Sequence, residues 1–133
     1  MLSPDGDELF IASRVTNKVE VWDTRKWKRL RTITSGDGPV GLHMAGASKL
    51  YTGNFYTNRP AYVSVIDANT GKTLKKIEGA ADITRMTTDP GGHYLFVANS
   101  GANKVQIIDL ATDAVIAELP GGAFPVDIAF KPL

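Results

Sequence analysis

The chain has 133 residues, 43% hydrophobic and 22% charged, with a net charge of +1, enough for one domain with a real core and too balanced to point toward nucleic acid or a membrane surface. It has no cysteine, which excludes disulfides, thiolate metal sites, covalently attached c-type haem and a cysteine nucleophile. No apolar run approaches membrane-spanning length, and Met1 is followed at once by "LSPDG", a turn rather than a charged and then apolar leader.

In chain order, the "SPDG" turn leads into the tract "ELFIASRVTNKVEVWDTRKWKRLRTI". It reads as a strand, a polar loop, the alternating strand "KVEVWD" with Val19 and Val21 on one face, a turn, and the charged strand "KRLRTI". The glycine-rich link "SGDG" then precedes a further strand, "PVGLHMA". The succession recurs in "KLYTGNFYTNRPAYVSVIDANTGKTLKKI", followed by "ITRMTTD", and again in "YLFVANSGANKVQIIDLATDAVIAEL", followed by "PVDIAFK". Asp23, Asp67 and Asp109 mark the repeat, 44 and 42 residues apart. No stretch holds a 3.6-residue period. A recurring unit of four short strands at this spacing is a β-propeller blade. The sequence therefore predicts an all-β fold with repeats over roughly 1–38, 39–81 and 82–123, and a final inner strand over 124–132. Val21, Val65 and Ile107 are expected between blades.

Each candidate for chemistry has a structural rival. Asp23, Asp67 and Asp109 end the third strand of each blade and read as turn-forming carboxylates, away from the axis. The basic stretch "TRKWKRLRT" resembles a polyanion grip, but it lies on an outermost strand, where Lys and Arg protect an exposed edge. His93 falls in a hairpin tip, and no metal site is expected from the two histidines. The innermost strands carry the candidate ligand site. Leu42, Met86 and Ile128 agree in register as packing residues, while Gly41, Arg85 and Asp127 diverge beside them, with His43 nearby. Gly41, His43, Arg85 and Asp127 are thus the candidate axial-channel residues. No G-x-S-x-G, H-E-x-x-H or Walker loop is present.

The third repeat, "YLFVANSGANKVQIIDLATDAVIAELPGGAFPVDIAFKP", resembles the YVTN-type β-propellers related to surface-layer and periplasmic proteins. It carries the "VAN" strand end, the "V-x-I-I-D" strand and the Gly/Pro link. The first repeat keeps "SPDG" and "VEVWD", whereas the second has "GASK" where "PDG" would stand. The resemblance implies a non-enzymatic binding scaffold with its ligand at the axial channel, no cofactor, and a leaning toward a periplasmic or extracellular setting. The alternatives are a propeller enzyme, either a lactonase-like hydrolase or a quinone- or haem-dependent oxidoreductase, and a fragment of a longer propeller.

Counting strands gives a first blade without its innermost strand and a last innermost strand without a blade. The expectation is a homodimeric six-bladed ring in which Pro125–Pro132 of each copy completes the other. A small polar ligand or a protein is the expected further partner, with neither nucleic acid nor membrane.

Overall fold

The structure is a computed structural model that describes residues 1–55 and 61–130. The loop expected at 56–60 and the last residues of the expected final strand lie outside the described residues. Eleven antiparallel strands are described: β1 (Glu8–Ser13), β2 (Lys18–Asp23), β3 (Lys28–Thr34), β4 (Pro39–Ala45), β5 (Lys49–Asn54), β6 (Ala61–Asp67), β7 (Thr73–Ala80), β8 (Ile83–Thr88), β9 (Tyr94–Asn99), β10 (Lys104–Asp109) and β11 (Ala114–Pro120). A single 3-10 turn spans Ser100–Ala102. Three sheets result, ordered β1-β2-β3, β4-β5-β6-β7 and β8-β9-β10-β11. We number these blades 1 to 3.

The hairpins are dictated locally. Asp23 Oδ1 accepts the backbone N–H groups of Arg25 and Lys26 at 2.8 and 2.7 Å. Asp67 Oδ1 does so for Asn69 and Thr70, both at 2.9 Å, and Asp109 Oδ1 for Ala111 and Thr112 at 3.0 and 2.8 Å. Each aspartate turns the chain into its blade's outermost strand. These backbone N–H groups are the leading reason that all three carboxyls titrate below their ordinary value.

Strand alternation sorts side chains onto the two faces of each blade. Phe10, Val19, Val21 and Ile33 of blade 1 meet Leu50, Ile66 and Ala68 of blade 2 in one buried cluster. Tyr51, Val63, Val65 and Ile77 of blade 2 meet Ile83, Met86, Leu95, Val97 and Ile108 of blade 3 in another. Val21 and Val65 are buried as the sequence predicts. Ile107 is not: it lies on the outward face of blade 3 and is half-buried, and its neighbour Ile108 fills the interface instead.

Cationic side chains latch neighbouring blades together. Arg31 on β3 donates to both carboxylate oxygens of Glu8 at 2.6 and 2.9 Å and to the Ala68 carbonyl at 3.0 Å, in the turn after β6. Lys49 at the start of β5 reaches the Leu110 carbonyl at 3.0 Å, in the corresponding turn after β10, and the Asp113 carboxylate at 3.1 Å. Tyr51 donates its hydroxyl to the same carboxylate. Burial first, and Asp113 second, push the Tyr51 phenol upward.

Among the described residues, no strand forms beyond β11. The link and the segment after it nevertheless repeat the geometry of an earlier junction. Asn17 and Asn103 both have positive φ, as do Gly38 and Phe124. The N–H of Gly38 donates to Asn17 Oδ1, and that of Phe124 to Asn103 Oδ1. Residues 125–130 then run beside β8 and β9, with the Pro125 carbonyl bonded by Ser100 and the Phe130 ring edge-on to Phe96, 4.9 Å between centroids.

Candidate axial site

The inner edges of the blades lie side by side, with β1 next to β4 and β4 next to β8. Between them opens a groove of about 780 Å³, walled by Leu9, Ile11, Leu42, Met44, Met86 and Ile128. All three methionines of the chain line it. Methionine is flexible and polarisable, so this wall can adapt its shape to an occupant.

His43 and Arg85 supply the polar side of the groove. His43 projects from β4 and holds Thr88 Oγ1 at 3.3 Å through Nε2. Burial first, and the nearby Arg85 charge second, keep its imidazole below its usual pKa. At neutral pH it is therefore an uncharged ring with one donor and one acceptor. Arg85 on β8 pairs with Asp127 on the following segment, Nε to Oδ1 at 3.3 Å, and both side chains are about two-thirds exposed. Asp127 Oδ1 also accepts the Ile128 N–H at 2.8 Å.

The four sequence candidates thus divide. His43 and Arg85 line the groove, and Asp127 holds Arg85 from its margin. Gly41 is buried at the seam between blades 2 and 3, where an added Cβ would sit 3.4 Å from the Met86 methyl and 3.5 Å from the Thr84 carbonyl. It is not among the residues that line the groove. The sequence reading missed Leu9 and Ile11, which reach the groove from β1, the second-position strand of its blade. The remaining histidine, His93, is at the hairpin tip, its backbone N–H held by Asp89 Oδ1 at 2.8 Å. Among the described residues, no group of three or more His, Asp or Glu side chains is placed to hold a metal ion, and no helix is long and apolar enough to cross a membrane.

Three arginines of the basic stretch are paired with carboxylates of their own blade. Arg25 pairs with Asp7 at 2.7 Å, Arg29 with Glu20 at 3.4 Å and Arg31 with Glu8. Trp27 is exposed at the turn. This arrangement fits edge protection better than a polyanion grip.

No protein-family profile matches the sequence. The seven-bladed beta-propeller protein Rv1057 of Mycobacterium tuberculosis is 29% identical over 119 residues, covering 86% of this chain and 30% of that protein. Among solved structures, hydrazine synthase of Kuenenia stuttgartiensis superposes with a TM-score of 0.80 and 25% identity, over 88% of this chain and 33% of that one. The WD40 repeats of RRP9 superpose with a TM-score of 0.76 and 16% identity, over 90% and 37%. The chain spans about a third of the length of these relatives. The sheet order, the inter-blade cores and these likenesses agree: the chain folds as blades of a β-propeller.

Proposed function

We propose that the chain is a non-enzymatic binding scaffold of the YVTN propeller type, and that its axial groove takes a small ligand with one anionic end and an apolar body. The observation that carries this reading is the Arg85–Asp127 pair at the groove margin. An ion pair this exposed is worth only about 0–1 kcal/mol, so a ligand carboxylate can displace Asp127 from Arg85 at little cost. Leu42, Met44 and Met86 would receive the apolar body, and the neutral His43 would add one hydrogen bond. Ligand-observed NMR with small aliphatic carboxylates and their neutral amide counterparts tests this. Carboxylates should bind the native chain and lose at least tenfold in affinity in Arg85→Ala. Equal binding of the amides would overturn the reading.

The same reading includes a second copy. Phe10 exchanges backbone hydrogen bonds with Met1 at 2.8 and 3.0 Å, so Ala12, two residues along, turns its N–H and C=O toward the same edge of β1. Residues 125–130 of a partner would fill that edge and carry its Ile128 and Asp127 into the groove. Light scattering should give about twice the 14.3 kDa chain mass. A monomer at micromolar concentration would contradict the exchange.

The likeness to hydrazine synthase leaves the enzyme alternative open. In that case His43 is the groove residue with acid–base capacity, and His43→Gln would abolish any turnover found.

A further inference from the structure

The two inter-blade interfaces treat equivalent buried polar positions differently. At the end of β9, Asn99 is buried and fully bonded. Its Oδ1 accepts the Ala81 N–H at 2.7 Å, and its Nδ2 donates to the Gly79 carbonyl at 3.3 Å and to Gln106 Oε1 at 3.2 Å. Gln106 Nε2 in turn donates to the Gly79 carbonyl at 3.2 Å. The two amides together pin the link between β7 and β8.

Blade 2 places Asn54 at the end of β5, where blade 3 places Asn99. It places Ser64 opposite Thr52 where blade 3 places Gln106 opposite Val97. Thr52 and Asn54 are two residues apart on one strand, and Ser64 is the cross-strand partner of Thr52, so all three share one face. That face is turned toward blade 1, as Leu50 and Ile66 of the same strands show by joining its core. All three residues are no more than 2% exposed. Among the described residues, Asn54 Oδ1 and Nδ2, Thr52 Oγ1 and Ser64 Oγ have no hydrogen-bond partner. The Asn54 amide does reach the preceding link, for a Cβ on Gly36 would fall 2.3 Å from its Nδ2. It makes no bond there.

Four orphaned polar atoms on three adjacent buried side chains ask for an explanation. Glutamine carries a CH2–CONH2 group where serine carries a hydroxyl, a difference in size of at least one water, whose share of liquid volume is about 30 Å³. The site also offers the two to four polar partners that an internal water requires.

We propose that an internal water sits among Thr52, Asn54 and Ser64 and bonds the Asn54 amide there, as the Gln106 side chain bonds Asn99 in the next blade. The proposal is independent of the axial groove. It assigns the blade 1–blade 2 junction a water-mediated bond where the blade 2–blade 3 junction has a direct one.

The experiment pairs a high-resolution crystal structure of the native chain with ¹⁷O relaxation dispersion, which counts long-lived internal waters, on the native chain and Ser64→Gln. The expected result is ordered density within hydrogen-bond distance of Asn54 and of Ser64 or Thr52, one long-lived water fewer in S64Q, and a thermal midpoint about 2–4 °C higher in the variant. Absence of density in the native cluster, or an unchanged water count in a folded S64Q, would overturn the proposal. Should S64Q not fold, the native density decides.

Discussion

The N–H of Phe124 donates to Asn103 Oδ1 at 2.8 Å, just as the N–H of Gly38 donates to Asn17 Oδ1 at 2.9 Å. Both asparagines sit at positive φ, 55° for Asn103 and 59° for Asn17, and asparagine tolerates that region better than most residues. One device therefore closes two links and aims the chain inward twice. After Gly38 it aims β4, and after Phe124 it aims residues 125–130.

Replacing Asn103 separates its two contributions. Asn103→Ala loses the side-chain bond and strains the backbone, and should cost about 1–3 kcal/mol. Asn103→Gly loses the bond alone and should cost less. Urea titrations of both variants give the order. Equal costs would show that the backbone conformation contributes nothing.

Gly53 is required by close approach. A Cβ there would lie 2.3 Å from Ile83 Cγ2 and 2.8 Å from Ile83 Cβ, between blades 2 and 3. Gly53→Ala should destabilise by about 1–3 kcal/mol through overpacking, read as a lower denaturant midpoint with an unchanged slope.

Ile107 and Ile108 report on different surfaces. Ile108 is fully buried against blade 2, and Ile108→Ala should cost about 2–5 kcal/mol of fold stability. Ile107 faces outward from blade 3. Ile107→Ala should cost less than Ile108→Ala in fold stability and weaken the proposed self-association, measured by sedimentation across a concentration series.

The turn aspartates set an acid limit. Asp23, Asp67 and Asp109 have lowered folded-state pKa values. A lowered pKa contributes stability that is fully present above the unfolded carboxylate value of about 3.9 and is lost as pH falls through the lower folded value. Urea midpoints should hold from neutral pH to about pH 4 and then decline. The triple Asp→Asn variant keeps an acceptor oxygen at each turn but cannot titrate there, so its decline should be shallower.

What the sequence made legible was whatever is encoded within a few residues. Asp23, Asp67 and Asp109 bond N–H groups two and three positions along, so their role could be read from the turn alone. Alternation revealed that Val21 and Val65 share a face with Ile107. It could not reveal that blade 3 has no following blade among the described residues to cover that face. Arg31 and Lys49 were hidden for a similar reason, since their carbonyl partners Ala68 and Leu110 are 37 and 61 positions away. The aligned positions of Arg31 and Lys75, opposite Val21 and Val65, were the available hint. Leu9 and Ile11 line the groove through the packing of β1 beside β4, a contact between blades that no local pattern encodes.

The most direct test of the axial site uses the three methionines, because each lines the groove. A chain labelled with ¹³C-methyl methionine gives one signal for each of Met1, Met44 and Met86. Titration with a carboxylate that binds should shift the Met44 and Met86 methyls saturably, and Arg85→Ala should abolish the shifts at the same concentrations. Saturable binding that leaves all three methyl signals in place would put the ligand elsewhere on the protein and contradict the account.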